Sequence, residues 1–292
     1  MDIFLVHLFN ALLYASVLFL IAGGLSLIYG VMRIVNLAHG NLYAIGAFLT
    51  ASVIGGWFAG SESNFLYLLL PVGAFGAAAI GAIVEPTLLR PFYRRREEYQ
   101  LLVTFGLLMI LEDLIRFIWG PYPLSATVLF SKLGSMPLGD FMYPRYNLLV
   151  VVIAGVVAFF LWAFIYRTKF GVVLRATSQD MRRAAALGIN VNLVYVEAFT
   201  IGCFMAGLAG AIIVPSQPAV LGMGVDALVL AFIVVVTGGL GSLEGALVGA
   251  LLVAIVREIG ITVFPEIELA VLYLIAAIVL LIRPAGLFGK TA

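Results

Sequence analysis

Charge is scarce in this sequence: 11% of its 292 residues are Asp, Glu, Lys or Arg, where soluble domains carry about 25%. A chain so poor in charge cannot clothe its surface for water, which excludes an ordinary soluble fold. Basic and acidic residues number 16 and 15, a net charge of +1, so nothing points to nucleic acid. The single cysteine, Cys203, excludes a disulfide within the chain and sits in an apolar run as a small hydrophobe. The two histidines, His7 and His39, lie far apart without carboxylates at ligand spacing, so no metal site is expected. The N-terminus lacks the basic start and small-residue cleavage site of a signal peptide, and its apolar run reads as a span that stays. A clustered nucleophile, acid and base is missing, as is a short filter sequence, which counts against an enzyme and a channel.

What is present is apolar. Hydrophobic residues make up 64% of the chain and the mean hydropathy is +1.17. The runs are long and do not alternate as barrel strands do, so the expected fold is an all-α polytopic membrane protein. Windows of about 20 apolar residues place spans at 8–30, 40–58, 65–88, 100–119, 147–166, 193–214, 243–263 and 269–282, with a short run at 227–236. That is eight or nine segments in a single transmembrane domain over 1–292.

Lys and Arg collect in two loops. Loop 89–99 holds Arg90, Arg94, Arg95 and Arg96, and loop 167–192 holds Arg167, Lys169, Arg175, Arg182 and Arg183; the tail adds Arg283 and Lys290. Positive loops stay in the cytoplasm, so these loops and the C-terminus are expected inside. The N-terminus, the turn near 61, loop 120–146 and the stretch 215–226 are expected outside.

Two places should break a helix. "GVMRIVNLAHGN" (30–41) sets Arg33, Asn36, His39, Gly40 and Asn41 into an apolar region, and "TGGLGSLEG" (237–245) contains Thr237, Gly238, Gly239, Gly241, Ser242 and Glu244. Glycine and polar side chains make a poor helix interior. Irregular backbone at membrane depth is tolerated only inside protein or beside a wet cavity. Each break leads into a small-residue span, and Gly46-Ala47 answers Gly249-Ala250, the pattern of a duplicated unit with breaks along a translocation path. Glu112 and Arg116 share a helix face at i, i+4 and are expected to pair; Glu85, Glu197 and Arg257 have no partner legible in sequence.

Loop 167–192 is unusual for an inside loop. After a basic lead-in, Ser178-x-Asp180 suits a helix N-cap, and "MRRAAALG" forms a short helix closed by Gly188. Small alanines would admit a partner's groove, and Arg182 and Arg183 could meet acidic groups. This segment resembles the coupling helix of ABC-importer permeases, the "EAA-x-x-x-G" region that contacts the ATPase. Here it stands as Asp180, Arg182, Arg183, Ala184, Ala185, Ala186, Leu187, Gly188, Ile189 and Asn190. Counting back from Gly188, Arg182 takes the acidic place and Arg183 that of the first alanine, a departure from the pattern.

"VNLAHGNLYAIGAF" resembles the "N-x-AHG" region of permeases that import branched-chain amino acids and related amides. "VVVTGGLGSLEGALVGALLV" and "LIRPAGLFGK" resemble that family's glycine-rich region and C-terminal end. The resemblance implies a subunit of a prokaryotic inner-membrane importer. It would pair with a homologous second permease, sit on two ATPase subunits that bind ATP and Mg, and receive substrate from an extracytoplasmic binding protein. No cofactor is expected in this chain itself: "GKT" in the tail is not a P-loop, since Pro284 replaces its first glycine. An ion-coupled secondary transporter and a sugar importer of a related ABC branch remain open.

Overall fold

With no water to take up backbone hydrogen bonds, long apolar runs must form helices, and the computed structural model is built of them. It describes every residue except Met1, Ala59, Glu62, Arg94, Phe264, Pro265, Ile267, Pro284 and 290–292. The sequence readings on Arg94, Pro284 and Lys290 therefore lie outside the described residues.

The elements in order are α1 (Asp2–Met32), α2 (His39–Ala51), α3 (Val72–Val84), α4 (Glu97–Trp119), α5 (Thr127–Leu133), β1 (Ser135–Leu138), β2 (Phe141–Pro144), α6 (Arg145–Arg167), α7 (Lys169–Gln179), α8 (Met181–Ala186), α9 (Val191–Ile213), α10 (Met223–Gly238), α11 (Leu243–Val263) and α12 (Glu268–Ile282). A π-helical turn, Ser52–Trp57, extends α2. The third span is less regular than expected. A 3-10 helix (Asn64–Leu69) precedes α3, and a π turn (Glu85–Leu89) and a second 3-10 turn (Arg90–Phe92) follow it. Pro86 and Pro91 explain the tail of that series, because each removes a backbone donor and crowds the preceding turn.

Among the described residues, five helical stretches are long and apolar enough to cross a membrane: Ile3–Met32, Asn64–Phe92, Arg145–Arg167, Val191–Ile213 and Leu243–Val263. Helix α4 has comparable length but carries Glu112, Asp113 and Arg116 within it, and α2, α10 and α12 are shorter. The centre is α1 with α9: their most apolar windows are 78% and 72% buried, against 22% for α6, so α1 and α9 are core while α6 turns most of its surface outward. Helix α9 packs on α1, α2 and α3. Small residues let the backbones close. An added Cβ on Gly24 would meet the Gly202 carbonyl at 2.6 Å, the close approach that glycine pairs permit between apolar helices.

Two regions differ from the sequence expectation. The loop 120–146 holds α5 and an antiparallel hairpin, in which Leu138 pairs with Phe141 across Gly139-Asp140. Gly139 has φ 62°, the conformation a two-residue hairpin turn requires. Loop 167–192 holds α7 ahead of the short helix expected there. Thr168 caps α7 by accepting from the Gly171 amide at 3.1 Å, and Leu174 and Thr177 are buried on its inner face.

Candidate functional site

The first break is built from short polar side chains. Helix α1 stops at Met32, and Arg33 takes φ 59°, the one left-handed non-glycine among the described residues, a conformation costing about 1–2 kcal/mol. Residues 33–36 then run without regular structure before a turn at 37–38 leads into α2. His39 opens α2 fully buried, and its Nε2 donates to the Ile21 carbonyl at 3.0 Å. Along α1, at 1.5 Å per residue, Ile21 lies roughly 16 Å back from Met32, so α2 starts deep inside the bundle. The Asn36 side-chain oxygen accepts from the Ala38 amide at 3.1 Å, and Asn41 Nδ2 donates to the Leu108 carbonyl at 2.6 Å. Thr104 Oγ1 donates to the Val35 carbonyl at 3.2 Å. These bonds fix both flanks of backbone that has left its helical partners. The remaining polar atoms, Asn36 Nδ2, His39 Nδ1 and Asn41 Oδ1, are buried and make no hydrogen bond within the protein.

The structural counterpart of this break is the stretch 214–222 rather than the glycine-rich stretch. After α9 the chain runs irregularly through Ala219, which pairs with Leu124, and α10 begins beside the start of α2. Gly40 and Gly224 touch so closely that a Cβ on Gly40 would overlap the Gly224 carbonyl. Two half-length helices thus bring their N-termini together inside the bundle and then diverge. Unsatisfied amides and the positive ends of two helix dipoles meet there, which favours a nearby negative charge. Glu112 of α4 supplies it: its Oε1 accepts from the Gly222 amide at 2.8 Å. The expected Glu112–Arg116 pair is therefore corrected, since no ion pair joins these two residues. A helix end needing an acceptor outcompetes a neighbour one turn away.

The glycine-rich stretch sits at the basic end of the bundle. Helix α10 ends at Gly238, and Gly239 and Gly241 have φ 111° and 79°. Gly241 lies against Gly30 in the last turns of α1, and Ser26 Oγ donates to the Ser242 carbonyl at 3.1 Å. Ser242 Oγ accepts from the Gly245 amide at 3.0 Å and so caps α11. Thr237 Oγ1 folds back on the Ile233 carbonyl at 2.7 Å. Glu244 accepts from the Tyr166 hydroxyl at 2.6 Å. The tail returns here too: the Leu287 and Phe288 amides donate to the carbonyls of Thr237 and Gly238, each at 2.9 Å. So Thr237, Gly238, Gly239, Gly241, Ser242 and Glu244 form one locality, and Asn36, His39, Gly40 and Asn41 another. About 20 Å of α10 separates them at 1.5 Å per residue.

The third locality is α8. Asp180 caps it, its Oδ1 accepting from the Arg182 and Arg183 amides at 3.0 Å each, while Oδ2 pairs with Arg183 Nε at 2.8 Å. The Arg183 amide, helped by the Arg183 charge and by the amide and charge of Arg182, holds the Asp180 carboxyl below its ordinary value against the opposing cost of desolvation. Gly188, at φ 84°, closes the helix: its amide donates to the Ala185 carbonyl and that of Ile189 to Ala184, the Schellman pattern. Asn190 at once caps α9 by accepting from the Leu193 amide at 3.2 Å. Ala184 alone of the run is buried, and Tyr195 donates to Met181 Sδ at 3.1 Å, so one side of α8 is pinned to α9. Arg182, Arg183, Ala185, Ala186, Leu187, Gly188 and Asn190 are exposed, Leu187 at 82%. That is high for a leucine with nothing over it, and it leaves α8 a rigid knob with one bare face.

The charges without a partner in sequence are placed as well. Glu85 is fully buried, bonded by Arg90 at 2.9 Å and by the Tyr93 hydroxyl. Glu197 lines a cavity of about 440 Å³ with Phe164, Phe170 and Thr200. Arg257 stacks on Tyr14.

Helices interrupted inside the bundle, and an exposed capped helix at its basic end, mark the class: a multi-pass helical membrane permease. The comparisons give the family. The model described as branched-chain amino acid transport system / permease component matches residues 7–282, and the chain belongs to that family. It is 29% identical to the high-affinity branched-chain amino acid transport system permease protein BraD of Pseudomonas aeruginosa, over 98% of this chain and 96% of that one. LivH of Escherichia coli K12, a permease protein of the same description, is 27% identical over 98% and 96%. LivM of that strain, likewise so described, is 26% identical over 94% of this chain and 69% of its own length.

Proposed function

We propose that this chain is the transmembrane subunit of an ATP-driven importer that carries branched-chain amino acids, or closely related small amino acids and amides, into the cytoplasm. In this reading α8 is the coupling helix. Its bare Arg182, Arg183, Ala185, Ala186 and Leu187 face seats in a groove of an ATPase subunit, where ATP and Mg bind. The observation that carries the reading is α8 itself: both ends capped, one side pinned to α9, the other uncovered. A helix so held moves as a unit with α9, and α9 packs directly on α1, α2 and α3.

The basic end then lies in the cytoplasm together with the C-terminus, and the hairpin and 215–226 face outward, where a substrate-binding protein would dock. A homologous second permease completes the path. Resemblance to both LivH and LivM, two differently named permease proteins of one strain, supports a heterodimer. Asn36, His39, Gly40 and Asn41 hold the half-helix α2 beside the path, while Thr237, Gly238, Gly239, Gly241, Ser242 and Glu244 form its cytoplasmic hinge.

The test is to tag the chain in its native membrane, purify it in mild detergent and identify what accompanies it by mass spectrometry. A related permease and two ATPase chains are expected. If it comes alone, even after crosslinking through 180–190, an ion-coupled secondary transporter takes the place of this reading.

A further inference from the structure

Glu85 belongs to neither helix break, and its side chain is fully buried. A carboxylate so placed is costly unless it is paired. It opens the π turn Glu85–Leu89 at the basic end of α3, and its partners come from just beyond that turn. Arg90 Nη2 donates to Oε2 at 2.9 Å, and the Tyr93 hydroxyl donates to Oε1. The Arg90 amide also donates to the Glu85 carbonyl, so these two residues are joined through backbone and side chain together. Residues five apart on a regular α-helix point about 140° away from each other, at 3.6 residues per turn, and are not neighbours. The wider π turn brings them to one side. Such turns recur at functional sites. From Glu85 a line of contacts reaches α8. The half-buried Tyr93 ring meets that of Tyr195 edge to face, with centroids 5.2 Å apart at 81°. Tyr195, buried in the second turn of α9, donates its hydroxyl to the sulfur of Met181, the first residue of α8, at 3.1 Å.

We propose that Glu85 is a positioning residue for α8. Through Tyr93 and Tyr195 it ties that short helix to the π turn, and a displacement of α8 together with α9 is delivered to the end of α3 there. The two ends of the line differ in strength. At Glu85 the bonds are charge-assisted, whereas a thioether sulfur is a weak acceptor. Tyr93 is therefore anchored to the π turn, and Tyr195 travels with α8 and α9. The edge-to-face contact between the two rings is where one side pushes on the other. The link itself needs no ATPase; only its effect on transport rests on the proposed import.

The test is amide hydrogen exchange, read by mass spectrometry on the full chain with the subunits that purify with it. Tyr93→Phe removes the bond to Glu85 and keeps the ring. Tyr195→Phe removes the bond to Met181 and keeps the other ring. Each should act at the far end of the line: Tyr93→Phe should quicken exchange over 181–190, and Tyr195→Phe over 85–93, by roughly fivefold, the effect of one lost hydrogen bond. Tyr146→Phe is the control, since it removes a buried hydroxyl bond, to the Ile212 carbonyl at 2.8 Å, that lies off this line. It should leave both segments unchanged. If Tyr93→Phe fails to fold, Tyr195→Phe still decides. Substrate uptake and ATP hydrolysis are measured in parallel. Uptake per ATP should fall roughly threefold or more in Tyr93→Phe, a ratio that a mere loss of folded protein leaves alone. Exchange confined to the substituted side, an unchanged ratio, or an equal response to Tyr146→Phe overturns the proposal. Remote exchange in a protein whose wild type takes up nothing keeps the link and removes the importer. Wild-type uptake with no remote exchange keeps the importer and removes the link.

Discussion

The contact between Gly40 and Gly224 is the tightest test of how the interior is built. Gly40→Ala adds one methyl group at the start of α2. Its Cβ would overlap the Gly224 carbonyl and stand 2.8 Å from Leu228 Cβ. Neither neighbour is the loose end of a side chain, so the methyl is accommodated only by moving α2 and α10 apart. Overpacking of that kind costs about 1–3 kcal/mol, and parting the helices also strains the two bonds that tie them to α4, of which that from Asn41 to Leu108 is the weaker. Gly106→Ala is the matched control. Gly106 lies within α4 with nothing near its missing Cβ, and alanine there should gain roughly 0.5–1 kcal/mol of helix stability. The two substitutions are chemically identical and opposite in sign. Melting of the purified protein in lipid nanodiscs and substrate uptake at matched expression measure both. The Gly40 variant should melt lower and transport poorly, while the Gly106 variant melts at or above wild type and transports normally. A Gly40 variant with wild-type melting and uptake would refute the account of two rigid, abutting half-helices.

Three further outcomes are expected. His39→Leu removes one hydrogen bond worth about 0.5–1.5 kcal/mol and fills the same space, so purified yield should hold while uptake falls severalfold; full uptake would make the histidine a spacer. Glu112→Gln keeps an oxygen for the Gly222 amide and should retain part of the uptake, whereas Glu112→Ala leaves that amide at the start of α10 without its acceptor and should abolish it, as an uptake series would record. Asp180→Asn keeps the cap on α8 and should preserve stimulation of ATP hydrolysis by substrate, while Asp180→Ala should lose it, because asparagine caps as well as aspartate and alanine does not. The lowered Asp180 pKa fixes the sign of any pH effect. Its contribution is complete above the ordinary carboxylate value of 3.8 and is lost as pH falls through the still lower folded value. Coupling at neutral pH should therefore not titrate through this group.

The long helices were legible because the solvent of a membrane leaves the backbone little choice. The span expected at 8–30 is α1, and that at 193–214 is α9, each within a few residues at its deep end. Helix α8 was legible for a different reason: its signals are local. An aspartate that can reach two amides, three alanines and a glycine free to turn left-handed fit within nine residues, and no distant contact is needed to make them a helix. The hairpin carried an equally local signal in Gly139-Asp140 between apolar pairs, hidden by the apolar composition around it. Helix α7 carried one local signal, Thr168 as its N-cap, but the glycine and β-branched residues of "TKFGVVLRATSQ" argue against a helix. It is a helix because Leu174 and Thr177 find a surface to bury against, and that surface is made by other parts of the chain.

The pairing of the breaks was illegible for the same kind of reason. By composition, 30–41 and 237–245 look alike, each a polar, glycine-bearing interruption. Glycine serves both, yet for unlike ends: at Gly239 and Gly241 it turns the backbone left-handed where helices finish, and at Gly40 it removes a side chain so that two helices can start side by side. What makes 214–222 the true counterpart of 33–38 is geometric. Both stretches carry the chain irregularly from the end of a long central helix back into the bundle, in opposite senses, and deliver a half-helix whose N-terminus must be satisfied there. The groups that satisfy it come from far away: Glu112 stands 110 residues from Gly222, and Leu108 67 from Asn41. Helix α4 therefore ties both half-helices at their starts, on one turn of its own length. Any motion that parts α2 from α10 must break the bond to Leu108, the bond to Glu112, or carry α4 along. Since the Glu112 bond is charge-assisted and the stronger, α4 should travel with α10, and the bond from Asn41 to Leu108 is the one that opens.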